Sequence, residues 1–377
     1  MISRNLRLTA VLAAIALLAA CGQATDEPAP TDEPAPTDEP AATDDPADEL
    51  SPDPELEPIE LVLVTHDSFN VSEQVWATFT EQTGIVVTLA PLGDAGTMVN
   101  QAVLTRDNPQ GDVLFGVDNT LLSRALDAEL FEPYRSPELD HVDERFVLDD
   151  QHRVTPIDFG DVCLNYDRAW FDEAGLPVPD DLDDLTDEAY RGLLAVQNPA
   201  TSSPGLAFLL ATVERFGPEG YLDFWEQLRA NDVVVTDGWS EAYYDEFTAT
   251  GPGERPLVVS YASSPPAEVF FADPTPDEAP TGVIEASCFR QIEFAGILTG
   301  SAYVEAAEQL VDFLLSPEFQ ADVPLNMFVF PVRDGVELPE VFVEHAVVPD
   351  QALEIDPEVI GERREEWIEA WTSAVLR

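Results

Sequence analysis

The chain has 377 residues, 45% of them hydrophobic, which is enough for a substantial core and for two domains. It carries 74 acidic and 17 basic residues, a net charge of -57, and every basic residue is arginine. A surface of that sign repels nucleic acid and anionic lipid, so neither is a charge-driven partner; it fits a salt-adapted protein or simply an acidic extracellular one.

Arg4 and Arg7 precede the apolar run Leu8–Ala20, which closes on Leu18-Ala19-Ala20-Cys21. A basic start, an apolar stretch too short to span as a mature helix and small residues before a cysteine resemble a bacterial lipoprotein signal. Residues 1–20 are then removed and Cys21 becomes the lipidated first residue, anchored to the membrane without spanning it. The alternative is an ordinary secretory signal with a chance cysteine. No later stretch is apolar for long enough to cross a bilayer. Residues 21–58 repeat the unit TDEPAP with decay, carry many prolines and hold no aromatic or basic residue. Such a segment cannot bury a core, and it is expected to be a disordered, self-repelling tether reaching on the order of 100 Å at about 3.1 Å per residue.

From Ile59 the pattern becomes globular. IELVLVTHDSF (59–69) predicts a strand that ends in polar residues, 71–83 a helix, and GIVVTLAP (84–91) a second strand. DAGTMVNQAVLTR (94–106) predicts a helix, DVLFGV (112–117) a strand, and 118–130 a helix with Asp118 or Asn119 at its cap. Strands alternating with helices imply a mainly parallel α/β sheet with helices on both faces. Ligands of such sheets sit beyond the carboxyl ends of strands. His66-Asp67-Ser68, Gly93-Asp94-Ala95-Gly96 and Gly116-Val117-Asp118-Asn119 all fall there.

VTPIDFGDVCLNYD (154–167) reads as a strand with no helix before it. A second α/β pattern follows over 193–217, 232–247 and 256–271, and then another long strand, GVIEASCFRQIEFAGIL (282–298), before a helix at 301–315. The two long strands read as crossings between two lobes. The first lobe comprises 59–158 and 292–377, the second 162–284, with crossings at 158–166 and 284–292. A two-lobed body with a cleft between its lobes binds ligand by hinge closure. Cys163 and Cys288 fall on neighbouring crossing strands, which favours a disulfide in an exported chain over two separate buried thiols.

Several stretches suit a cleft. NPATSSPGLAFLL (198–210) places Ser202 and Ser203 at a helix start, where free N–H groups and hydroxyls suit a phosphate; the plainer alternative is helix capping. In TDGWSEAYYDEF (236–247), Trp239 and Tyr243 stand four apart and share a helical face. Gly238 before them lets the helix start close to a ligand. The alternative is that Tyr243 and Phe247 form the buried stripe of that helix. Tyr261 ends a strand in VVSYASSPP (258–266), and NMFVFPV (326–332) puts Phe328 and Phe330 on a strand of the first lobe. Such rings close over a flat cation by stacking and cation–π attraction, while Asp67 and Asp158 supply carboxylates. No catalytic constellation stands out: there is no Gly-x-Ser-x-Gly elbow, no His-Glu-x-x-His, and no phosphate-binding loop with a lysine. The chain is therefore not expected to be an enzyme or to carry a cofactor or metal.

THDSF, GDVLFGVDNTLL, PIDFGDVCLNYD, NPATSSPGLAFLL, TDGWSEAY, SYASSPP and VPLNMFVFPV, in this order, resemble the thiamine-binding proteins of bacterial ABC importers over essentially residues 59–377. The resemblance implies a type II periplasmic-binding fold that captures thiamine or its mono- or diphosphate and delivers it to a membrane permease, acting as a monomer outside the cytoplasm. It places Asp67, Ser68, Asp118 and Asn119 at the first-lobe wall, Ser202 and Ser203 near the phosphate end, and Trp239, Tyr243 and Tyr261 in the aromatic pocket. The chain departs from the pattern at Phe328, where the best-known members carry tryptophan, and at Phe159 and Asp161, where they carry tyrosines. The rival of the same fold is a ferric-ion binder using the adjacent Tyr243 and Tyr244 with His66 and Asp67. A binder of another small cation, such as a polyamine, and a tethered hydrolase are the remaining alternatives.

Overall fold

The computed structural model describes residues 58–377. The expected signal, the lipidated Cys21 and the tether up to residue 57 lie outside the described residues. The strands are β1 (Glu60–Thr65), β2 (Val86–Pro91), β3 (Val113–Asp118), β4 (Phe131–Glu132), β5 (Thr155–Asp167), β6 (Leu194–Gln197), β7 (Val234–Thr236), β8 (Leu257–Tyr261), β9 (Thr281–Leu298) and β10 (Phe330–Pro331). The helices are α1 (Glu73–Thr83), α2 (Ala95–Leu104), α3 (Leu122–Asp127), α4 (Arg168–Ala174), α5 (Ser203–Ala230), α6 (Trp239–Glu241), α7 (Pro265–Phe270), α8 (Val304–Leu314), α9 (Pro317–Asn326), α10 (Glu340–His345) and α11 (Pro357–Val375). No described helix is long and apolar enough to cross a membrane.

One sheet runs through the molecule in the order β2-β1-β3-β9-β5-β8-β6-β7. Its two wings follow the expected parallel pattern: β1 pairs with β2 and β3, and β6 with β7 and β8, all parallel. Between the wings, β5 and β9 lie antiparallel to each other and to β8 and β3. Antiparallel pairing at the centre follows from the chain leaving one wing along β5 and returning along β9. Parallel strands covered on both faces by helices read as continuous apolar runs, whereas the edge strand β2 stays largely exposed. β3 is buried along its whole length.

Local signals set the helix ends. Ser72 caps α1 by accepting from the Val75 N–H, and Gly84 ends that helix in the left-handed region at φ 72. α5 is broken at Gly217 (φ 75, ψ 168), followed by Pro218, and its second half folds back on the first, with Phe224 stacked on Phe216 at 4.6 Å and the Trp225 indole N–H donating to Thr212 Oγ1 at 2.9 Å. The main core is an aromatic-rich cluster that includes Phe79, Phe115, Phe208, Phe294 and Phe319, all fully buried, and two smaller clusters lie beside it. The terminal helix α11 packs against α5. Trp371 meets Trp225 of α5 edge to face at 5.5 Å, and Arg229 donates to the Ala374 carbonyl. A C-terminal helix carries no sequence signal for which lobe it covers.

Cys163 and Cys288 are joined in a disulfide between β5 and β9, 125 residues apart in the chain. The register breaks there: Val162 faces Phe289, but Leu164 faces Ile284, so β9 bulges outward over four residues. Ser287 fills the bulge, accepting from the Leu164 N–H at 2.8 Å and donating to the Ile284 carbonyl at 2.6 Å.

Candidate functional site

A cavity of about 460 Å³ lies between the wings, beyond the carboxyl ends of β1, β7 and β8. That volume falls in the range of small-molecule sites, roughly 300–1,000 Å³. Its aromatic wall comes from the segment after β7. Trp239 and Tyr243 stack at 4.9 Å with 17° between their planes, and Tyr261 meets Trp239 at 6.5 Å. The Trp239 indole N–H donates to Ser260 Oγ at 2.9 Å, and the Tyr243 hydroxyl to Glu268 Oε1 at 3.0 Å, so both rings are fixed before any ligand arrives. The single α-turn of α6 passes into a π-turn over Ala242–Glu246. π-turns concentrate at functional sites, and this one keeps both rings on the cavity side. Both readings of Tyr243 hold at once: it is 2% exposed and packs on Phe247 at 5.7 Å, and it also lines the cavity.

Opposite this wall stand His66, Asp67 and Ser68, which follow β1, together with Glu293 of β9. Ser68 Oγ and Ser240 Oγ meet at 3.3 Å across the cleft. Gly116 sits in the left-handed region at φ +104, and a Cβ there would lie 2.5 Å from the His66 ring. The glycine thus makes the space that lets His66 turn inward. Phe328 also lines the cavity, but it does not lie on a strand as expected. It adopts φ 54 between α9 and β10, which turns its ring toward Phe271 at 5.6 Å. Its neighbour Phe330 faces away, into a stack with Phe159 at 5.3 Å.

The expectations for four other residues are corrected. Asp118 is fully buried, and its Oδ1 accepts from the Thr120 and Leu121 N–H groups at 3.1 Å each, closing the turn into α3. Asn119 bridges to β9, donating to the Arg290 carbonyl at 3.1 Å and accepting from the Ile292 N–H at 3.0 Å. Both hold the wing together and neither faces the cavity. Ser202 is buried and accepts from the Gly205 N–H, so the capping alternative wins. Asp158 lies behind Glu293, its strand partner, and not on the cavity surface. Phe159 and Asp161, the other departures from the family pattern, also lie off the cavity; Asp161 pairs with Arg290 at 2.6 Å.

Three further carboxylates line the site: Asp94, expected only as part of a strand-end group, and Glu268 and Glu293, which were not expected. Asp94 follows β2 and accepts from the Ser203 N–H at 3.1 Å and the Trp239 N–H at 2.9 Å. Gly238, expected to approach a ligand, instead approaches this carboxylate: a Cβ on it would lie 3.4 Å from Asp94 Oδ2. The available signal was positional, since Asp94 follows a strand and Glu293 interrupts an apolar run.

Burial controls the charges. Desolvation raises the Asp94 carboxyl to about 6 and lowers the His66 imidazole to about 4. His66 is therefore neutral near pH 7, and its 3.5 Å approach to Glu293 Oε1 is not an ion pair. Burial raises the Asp158 and Glu293 carboxyls as well, and the neighbouring Asp158 charge adds to the rise at Glu293. Native carboxyls that hold protons the unfolded chain has released stabilise the fold fully below the ordinary carboxylate range. That contribution is lost as pH rises through their elevated pKa values. Stability in urea should accordingly fall between pH 5 and pH 8, and Asp158→Asn should flatten the fall; an equal slope in the variant would refute the elevated Asp158 carboxyl. His66 works with the opposite sign below its ordinary pKa, and the substitution does not address it.

A family model for bacterial extracellular solute-binding proteins matches residues 108–354. The chain is 30% identical to the thiamine-binding periplasmic protein of Salmonella typhimurium, over 84% of this chain and 94% of that one. A solved periplasmic thiamin-binding protein superposes with a TM-score of 0.75 at 28% identity, covering 84% of this chain and 96% of that one. Iron-bound HitA from Pseudomonas aeruginosa superposes at 0.65 with 20% identity, a likeness of fold alone.

Proposed function

We propose that this chain, which belongs to the family of bacterial extracellular solute-binding proteins, captures thiamine or a thiamine phosphate ester for an ABC importer. It has the two-lobed type II periplasmic-binding fold, it acts outside the cytoplasm, and it is a binding protein and not an enzyme. One observation carries the thiamine reading. The cavity is walled by Trp239, Tyr243, Tyr261 and Phe328, carries Asp67, Asp94, Glu268 and Glu293, and is lined by no arginine. A flat heteroaromatic cation meets both demands: stacking on the rings and charge balance from the carboxylates. Burial and the neighbouring Asp158 raise the Glu293 carboxyl, and a cation entering beside it works against that rise.

Ligand capture is hinge closure at the crossings near 158–166 and 284–292, with the first lobe at 59–158 plus 292–377 and the second at 162–284. The chain works as a monomer that hands ligand to a permease and is held at the membrane by the acyl group on Cys21. Asp67, Ser68, Ser203, Trp239, Tyr243, Tyr261 and Phe328 are the expected residues that remain in the ligand set. The iron reading lacks a chelate. The Tyr243 and Tyr244 rings stand at 90°, the Tyr243 hydroxyl is committed to Glu268, and Tyr244 is 52% exposed.

A thermal-unfolding panel of thiamine, ferric citrate and spermidine separates the readings. Thiamine at 100 times its dissociation constant should add about 2.7 kcal/mol of stability, and the others nothing. A Tm raised by ferric citrate or spermidine and not by thiamine would overturn the assignment.

A further inference from the structure

We infer that Glu268 is the counter-ion through which this cleft selects a fixed positive charge on its flat ligand: its carboxylate, tethered by the Tyr243 hydroxyl, closes the edge of a cage made by Trp239, Tyr243 and Tyr244. The charge in question is that of the thiazolium ring, so this role for Glu268 rests on the thiamine reading.

Three rings face one another after β7. Trp239 stacks on Tyr243 at 4.9 Å, and Tyr244 stands edge-on to Trp239 at 5.5 Å and to Tyr243 at 5.4 Å. Ring faces attract a cation, but stacking also holds a neutral ring of the same shape. Telling the two apart calls for a carboxylate that is fixed beside the rings and is not already paired within the protein. Glu268 meets both conditions. It lines the cavity from α7, and its Oε1 accepts from the Tyr243 hydroxyl at 3.0 Å. That hydroxyl ends a run of fixed groups. The Trp239 indole N–H donates to Ser260 Oγ at 2.9 Å, the Ser260 and Ser264 hydroxyls meet at 2.8 Å, and Ser264 also bonds the Tyr243 hydroxyl. The carboxylate and the two stacked rings thus form one hydrogen-bonded unit.

Among the described residues no basic side chain pairs with Glu268. Burial raises its carboxyl, and the Tyr243 bond opposes the rise. A partly buried carboxylate without a cation is costly, and a cationic ligand supplies the missing partner. The other cavity carboxylates are otherwise engaged. Both oxygens of Asp94 accept from backbone N–H groups, of Ser203 at 3.1 Å and of Trp239 at 2.9 Å. Glu293 lies on the opposite wall, with Asp158 as its strand partner and His66 at 3.5 Å. Asp67 is exposed and accepts from the Ser68 hydroxyl at 3.2 Å.

The test is calorimetric titration of the purified chain and of Glu268→Gln with two ligands: thiamine, and its neutral isostere in which carbon replaces the charged ring nitrogen. The unmodified chain should bind thiamine at least about tenfold tighter than the isostere. Glu268→Gln keeps the shape and can still accept the Tyr243 bond. In it the preference should fall to within about threefold through weaker thiamine binding, with the affinity for the isostere little changed. Weakening of both ligands by one common factor would make Glu268 a mere prop for Tyr243; it would overturn the inference and leave the thiamine reading intact. So would an isostere bound as tightly as thiamine by the unmodified chain. No thiamine binding by the folded, unmodified chain would overturn both. Should Glu268→Gln not fold, carboxyl-carbon NMR of the unmodified chain decides. The Glu268 side-chain signal should move on saturation with thiamine and not with the isostere, and equal movement with both would overturn the inference.

Discussion

Replacing both Cys163 and Cys288 by alanine should lower the free energy of unfolding by roughly 4–5 kcal/mol. The bridge closes a loop across a sequence separation of 125, and removing so long a constraint frees the unfolded chain to that extent in the loop-entropy account of disulfides. It also ties the two long strands at the point where their register breaks, so the pairing on either side of the β9 bulge loses its fixed point. Both sulfurs are buried, in a small cluster with Ala262, and neither lines the cavity. Ligand affinity under conditions where the variant is folded should therefore change little. Urea denaturation of the two forms measures the difference. A loss below about 1 kcal/mol would show that the strands hold their register without the bridge, and alkylation of both thiols without reductant would show that no bridge forms.

The second large effect is expected at Trp239. Its ring is half-buried, stacked on Tyr243, and pinned through its indole N–H to Ser260, so it offers a preset face to a flat ligand. Trp239→Ala removes that face and should weaken thiamine binding by about 1–3 kcal/mol, or roughly five- to 150-fold. Trp239→Phe should recover part of the loss. Phe328→Ala should lose less, because that ring stands at the mouth of the cleft against the exposed Phe271. Fluorescence or calorimetric titration of the three variants decides the order, and an unchanged dissociation constant in Trp239→Ala would remove this residue from the pocket.

Much of the fold was legible because wing strands and helices are set by local pattern. β1, β2, β3, β6 and β8 are short apolar runs beside capped amphipathic helices, and every residue that fixes them lies within a few positions. The two long strands were legible as strands by their length and, for the first, by the absence of a helix before it. What could not be read was set by contacts distant in sequence. α11 gives no local sign that it reaches Trp225, and the positive φ of Phe328 is imposed by the chain between α9 and β10.

The site divides in the same way. The aromatic wall was legible because Trp239 and Tyr243 sit four apart behind a strand end, and Asp67 and Ser68 because they follow another. Asp118, Asn119 and Ser202 show the limit of that argument. Polar groups at strand ends also close turns, and short-range hydrogen bonds can consume them entirely. Glu293 was not singled out, and Asp94 only as part of a strand-end group, because their importance comes from what lies opposite: two helix starts more than 100 residues away for Asp94, and a second buried carboxyl for Glu293.

The most direct test of the central claim is calorimetric titration of the purified chain with thiamine, at low and high salt. The account predicts one site per chain with sub-micromolar affinity, weakened roughly five- to 150-fold in Trp239→Ala. No heat from protein shown to be folded, at thiamine concentrations up to the millimolar range, would contradict it.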